Sequence, residues 1–159
     1  MFLNKRYEPA SVAFQRAGRG REVKICQAYL LREKARLIST TTIEARIYAF
    51  LNAAKAFVNC VRDSPDERVT ERLGYLKASG ECYLEARSYK KSGKNYLDAG
   101  EHDAAARAYE KGEYIDEMVE VINRHRDTMD SGLIKRLEMT AKLHYFEVWF
   151  NSNPAVGGS

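Results

Sequence analysis

A turn residue, a small residue five positions on, an aromatic four later and a small residue three after that recur along this chain. The fullest stretches are Lys5–Gly18, with Ala10, Phe14 and Ala17, and Gly100–Gly112, with Ala105, Tyr109 and Gly112. Gly80–Tyr89 lines up with them, and Gly112–Met118 opens the same way. Internal repetition restricts the fold more than any single motif, because each unit must bury its apolar face against the next. The small residue lets a neighbouring helix approach closely. The aromatic one turn later fills the gap between helices, and the second small residue relieves crowding where the next helix begins.

The apolar spacing is helical almost throughout. In 21–38, Val23, Ile25, Cys26, Tyr29, Leu30, Ala35, Leu37 and Ile38 recur near i, i+3 and i+4. Ile43, Ile47, Phe50, Leu51, Ala54, Phe57, Val58 and Val61 do the same in 43–61. No long alternation with a period of two predicts a strand. Gly18-Arg19-Gly20 should end a first helix. Ser39–Thr42 offers hydroxyl caps for a helix from Ile43, and Pro65 an early position in the helix after Asp63–Glu67. Gly80, Gly100 and Gly112 then read as breaks. Leu133–Phe150 reads as a last helix, and 151–159 as a flexible tail. The predicted fold class is all-α, with seven or eight helices forming one domain over 1–150.

The small–aromatic–small pattern resembles the tetratricopeptide repeat. With Gly100 at the turn between the two helices of a repeat, Tyr89, Gly93 and Tyr96 match the first helix. Ala105, Tyr109 and Gly112 match the second. Ser92 stands where leucine is usual, Glu85 occupies a small-residue position, and Gly80 and Gly100 are not one full repeat apart. The chain therefore resembles degenerate repeats, like the irregular arrays of the soluble attachment proteins of vesicle fusion. The resemblance covers about residues 1–125 and implies antiparallel helix pairs stacked as a short, right-handed α-solenoid. A narrower resemblance rests on Phe2–Tyr7, Ala13–Gly18, Ala28–Arg36 and Ala53–Phe57. These are similar to the helical region C-terminal to the core of large fungal UvrD-like helicase proteins, and to tetratricopeptide-and-ankyrin-repeat proteins of animals. That implies a fragment or relative of such a region, without the ATPase core. Lys5–Ala17 looks like a second helix without its first, which points to a piece of a longer array.

Of the 159 residues, 45% are hydrophobic and 30% charged, a composition that folds. No apolar run approaches a membrane span and no secretory leader is visible. The odd cysteine set Cys26, Cys60 and Cys82 fits neither a disulfide framework nor a zinc site, and an intracellular, reducing compartment (cytoplasmic or nuclear) is expected. Each cysteine lies on an apolar face, where a small buried hydrophobe is the default. Ala17–Arg21 lacks the Lys-Ser/Thr of a phosphate loop. His125-Arg126-Asp127 lacks the other parts of a kinase site, and Ser88–Lys91 lacks the companions of an SxxK nucleophile. His102, His125 and His144 show no local metal spacing. No enzyme, cofactor or metal constellation is expected.

Two surfaces remain. Such arrays bind partners on a concave face lined by first helices. Here that face would draw on Arg87, Lys90, Lys91, Lys94, Asn95 and Asp98, with lysines suited to carboxylates of a protein or peptide partner. The second is basic: residues 1–60 hold eleven Lys/Arg against four Asp/Glu. Its members Arg16, Arg19, Arg21, Lys24, Arg32, Lys34 and Arg36 suit nucleic acid or an acidic partner, as an accessory element of a helicase-like machine, or simply form a solvated face. Only Tyr29 is at hand among them for base stacking. The aromatic end, Tyr145, Phe146, Trp149 and Phe150, is expected to cap the core, the alternative being a neighbour outside the chain.

Overall fold

The structure, a computed structural model, describes residues 7–16, 18–153 and 155, without the side chains of Phe14 and Arg16. Ala17 and most of the predicted tail lie outside the described residues, as do residues 1–6, so the Phe2–Tyr7 phrase is covered only at Tyr7. The described chain is all-helical: α1 (Tyr7–Arg16), α2 (Gly20–Leu37), α3 (Ile43–Asp63), α4 (Val69–Glu85), α5 (Tyr89–Asp98), α6 (His102–Lys111), α7 (Ile115–His125), a 3-10 turn at Arg126–Thr128, and α8 (Ser131–Ser152). Helix packing runs chiefly between sequence neighbours, α1 on α2 through to α7 on α8. No helix among the described residues is long and apolar enough to cross a membrane.

A thirteen-residue register organises the middle of the molecule. Ser79-Gly80, Ser92-Gly93 and Ala105-Ala106 are buried pairs on α4, α5 and α6, and each is followed three residues on by a buried tyrosine, Tyr83, Tyr96 or Tyr109. Ala53-Ala54 and Phe57 repeat the pattern on α3. The aromatic of one helix lies over the small residue of the helix before it. A Cβ on Gly80 would stand 3.0 Å from the Tyr96 ring, and one on Gly93 2.6 Å from the Tyr109 ring. Buried serines lock the same register. Ser79 Oγ donates to the Ala54 carbonyl at 3.1 Å, and Ser92 Oγ to the Gly80 carbonyl at 2.7 Å. Ser92, which departs from the leucine of the resemblance, thus satisfies its hydroxyl between helices.

The helix ends follow the same interval. Arg87, Gly100 and Glu113 have φ of 59°, 77° and 62°, thirteen residues apart. Beyond each, a backbone N–H reaches back to close the helix: Ser88 to Tyr83, Glu101 to Tyr96 and Tyr114 to Tyr109, each at 2.9 Å. This left-handed closure satisfies carbonyls that the helix leaves without donors.

Several sequence expectations are corrected. Gly80 is no break: it lies inside α4, where an added Cβ would crowd the Tyr96 ring. Gly93, by contrast, lies inside α5, in line with its match to a first helix. The Ser39–Thr42 hydroxyls do not cap α3. Thr42 makes no side-chain cap, and Ser39 and Thr41 hydroxyls pair with each other at 2.8 Å. Pro65 sits in the turn before α4 rather than in its first turn, with the Arg68 N–H donating to its carbonyl. The last helix starts at Ser131 because Asp130 caps it, its carboxylate accepting from the Leu133 N–H at 2.9 Å, and it runs to Ser152. The aromatic end does not cap the core: Tyr145, Phe146, Trp149 and Phe150 are all exposed, because α8 buries only the side carrying Leu133, Ile134, Leu137 and Ala141 and extends past the start of α7.

Two main apolar clusters result. One joins α2, α3 and α4 around Phe57, and the other joins α6, α7 and α8 around Met118, Ile122 and Leu137. A small cluster around Tyr96, Ala105 and Ala108 lies between them in sequence.

Candidate binding surface

Three adjoining depressions share Leu84 and form a groove lined by residues of α2, α3, α4, α5, α6 and α8. Their volumes are about 280, 290 and 340 Å³. Leu84, Phe50 and Tyr96 supply apolar floor, and arginines and a lysine supply most of the walls. The register that buries Tyr83 on α4 and Tyr109 on α6 leaves Leu84, Arg107 and Lys111 beside them at the edge.

Some of these cations are already engaged. Arg46 Nη1 donates to the Ile38 carbonyl at 3.0 Å, closing the C-terminal end of α2, and Nη2 stands 3.5 Å from Glu85. Arg36 pairs with Glu33 at 2.6 Å and Arg32 with Glu81 at 3.8 Å. Arg136 grips both carboxylate oxygens of Glu110 at 2.9 and 3.0 Å. Arg87, Arg107 and Lys111 have no such partner. They are exposed, and no ion pair engages them among the described residues. Lys111 borders two depressions, with Arg87 in one and Arg107 in the other. Three uncompensated cations therefore surround an apolar floor, an arrangement suited to carboxylates or phosphates attached to something greasy.

Of the six residues expected on a concave face, Arg87 alone lines this groove. The other five lie on α5 outside these depressions and have local partners. Lys90 reaches Glu117 at 3.8 Å and lies over the Tyr114 ring, Lys91 lies over Tyr83, and Lys94 pairs with Asp98 at 3.2 Å. Asn95 Nδ2 donates to Ser79 Oγ at 2.8 Å, extending the buried serine link to α3.

The basic N-terminal set is spread over several ion pairs. Arg21 meets Glu71 at 2.5 Å and donates to Ser64, and Lys24 meets Asp63 at 2.8 Å. Arg32 lies over the Tyr29 and Phe57 rings as well as near Glu33. Arg16 closes α1, Arg19 precedes α2, and Lys34 is exposed on it. The Arg21 bond holds the Glu71 carboxyl below the usual carboxylate range. A further depression, about 430 Å³ between α2 and α3, contains Lys24 and Arg62, but Lys24 is held by Asp63 and Arg62 bonds Asn59.

The cysteines are buried, and desolvation raises their thiols, Cys60 to about 11 and Cys82 to about 12. A thiolate nucleophile at neutral pH is therefore disfavoured at all three.

Sequence spacing missed one pairing. His102 opens α6 and His125 closes α7, and their rings stack with centroids 3.7 Å apart and planes at 14°. The Thr128 hydroxyl donates to the His125 carbonyl at 3.0 Å and lies 2.8 Å from His102 Nδ1. Its single proton is thus spent, and His102 Nδ1 donates to it. Desolvation first, then the neighbouring His125, lowers the His102 pKa. A histidine with a depressed folded pKa takes up its proton more readily when unfolded. Its contribution to stability is complete above the unfolded value of about 6.5 and is lost as pH falls below it. Urea midpoints should therefore fall from about pH 7 to about pH 5.5, and His102→Gln should flatten that dependence. An equally steep profile in the variant would remove His102 from the account.

No family model, curated protein or solved structure matches the chain.

Proposed function

We propose that this chain is a non-catalytic binding scaffold, a short tetratricopeptide-like α-solenoid that holds an acidic segment of a protein partner along the groove centred on Leu84. The carrying observation is the trio Arg87, Arg107 and Lys111, exposed and without ion-pair partners among the described residues, beside apolar floor. The sequential packing of the helices and their thirteen-residue register support the solenoid reading. Nearest-neighbour arrays offer long grooves rather than enclosed pockets, and grooves suit extended peptides. On the resemblance read from the sequence, the scaffold would belong to a larger helicase-type protein, where it would dock a partner rather than act on nucleic acid. The ion pairs that hold Arg21, Lys24, Arg32 and Arg36 favour the peptide over a phosphate backbone.

The test is fluorescence anisotropy against an array of labelled peptides that combine Asp or Glu with Leu or Phe. Each reversed charge at an exposed contact should cost about 1 kcal/mol, so Arg107→Glu with Lys111→Glu should weaken the best peptide about 30-fold. Lys90→Glu with Lys94→Glu should leave affinity unchanged, because those lysines lie outside the groove. Equal losses in both doubles would extend the site to the lysines of α5. Binding that survives the groove double would sink the proposal.

A further inference from the structure

Helix α8 is apolar on two opposed faces. Leu133, Ile134, Leu137 and Ala141 form the buried one. Arg126 meets Glu138, and Asp116 at the start of α7 accepts from the Tyr145 hydroxyl at 2.7 Å, so α8 runs back along α7 with this face inward. The other face carries Met139, Leu143, Phe146 and Phe150, which are 56%, 58%, 59% and 39% exposed. At 100° per residue these four lie within about 60° of one another and opposite Leu137.

Their steps are four, three and four. That is the seam spacing of a left-handed coiled coil, with Leu143 and Phe150 at one seam position and Met139 and Phe146 at the other. Lys142 and Glu147 flank the seam on either side and form no ion pair within the chain among the described residues. In a parallel pair of α8 helices, the residue just before one seam position faces the residue five further along on the second copy. Lys142 of each copy then meets Glu147 of the other, twice by symmetry. An antiparallel pair would set Lys142 against Trp149 and Glu147 against Thr140, with no opposite charges matched. The area is also adequate: four half-exposed large side chains with Trp149 at their edge offer roughly 500 Å² per copy, so a pair buries about 1,000 Å², the lower end for a specific interface.

We propose that the chain forms a symmetric dimer through the outer face of α8, in parallel register, with Met139, Leu143, Phe146 and Phe150 as the seam and reciprocal Lys142–Glu147 pairs fixing its direction. This surface is separate from the acidic-peptide groove and stands or falls independently of it.

Sedimentation equilibrium of the full chain, over micromolar to submillimolar concentrations, tests the association. A concentration-dependent dimer is expected. Lys142→Glu alone and Glu147→Lys alone should each weaken it at least about tenfold, since each places like charges together twice. The two single variants mixed should form a heterodimer, and the double exchange should restore the homodimer. Leu143→Cys should cross-link to itself under mild oxidation, as a parallel seam requires, while the three native cysteines stay buried. A monomer at every concentration would overturn the proposal, whether or not it sediments with neutral lipid vesicles; sedimentation would assign the stripe to a lipid surface instead. Cross-linking of Leu143→Cys only to Phe146→Cys would overturn the parallel register. Circular dichroism of each variant, all altered at exposed positions, separates lost association from lost folding.

Discussion

Phe57→Ala is expected to cost about 3–5 kcal/mol, the largest effect of any single truncation in this chain. Phe57 has no exposed surface, meets the edge of the Tyr29 ring at 5.1 Å and is covered by the Arg32 guanidinium at 5.5 Å. Its buried neighbours include Ala28, Ala53, Ala54 and Cys60. These short side chains cannot swing into the vacated space, so much of the cavity stays open and adds to the cost. The loss should also be local. Packing runs between sequence neighbours, and the α2–α4 cluster is distinct from the α6–α8 cluster. In such an array, stability is closer to a sum of neighbour interfaces than to one all-or-none term. Hydrogen exchange of the variant should show α2–α4 amides losing protection while those of α6–α8 keep theirs. A loss below about 1.5 kcal/mol, or equal loss of protection in both halves, would contradict the two-cluster description.

The second large effect concerns Gly93. A Cβ there would lie 2.6 Å from Cε1 and Cζ of Tyr109, and that ring is itself buried. Gly93→Val should therefore cost about 3 kcal/mol, because α5 and α6 must separate or Tyr109 must leave its place. Gly74 gives the opposite sign. It lies in α4 with no neighbouring atom within 4 Å of its added Cβ, so Gly74→Ala should gain about 0.5–1 kcal/mol from helix propensity alone. Urea denaturation of the two variants measures both. Adding Tyr109→Ala to Gly93→Val should cost less than the sum of the single changes, since the clash has been removed. Strict additivity, or two glycines that respond alike, would show that the close approach is not what selects glycine at 93.

These two positions also mark how far the sequence could be read. Tyr96, Ala105 and Tyr109 were legible as packing residues because they recur at helical spacing, and the structure buries all three. The thirteen-residue interval was hidden by its own chemistry. Only Gly100 of the three left-handed positions is glycine, while Arg87 and Glu113 adopt the same backbone with ordinary side chains. Gly80 meanwhile looks like a turn residue and works as a packing one. The groove was harder still. Arg87, Arg107 and Lys111 come from a helix junction and from α6, and their lack of partners depends on where Glu81, Glu85 and Glu110 point. No local spacing carries that information. The His102–His125 stack is likewise made by the docking of α6 on α7.

The sequence by itself determined the all-helical class, most helix limits to within a few residues, and the burial of the three cysteines, because those follow from periodicity, propensity and apolar surface along one chain segment. It also wrote two apolar stripes on α8. Which stripe would be covered was decided by the tertiary structure alone. α7 packs against one side of α8, so Leu137 goes inward with no exposed surface while Phe146, on the opposite face, stays in water. Hydrophobicity along a helix sets what can be buried, but burial needs a second surface, and the position of that surface depends on every helix packed before it.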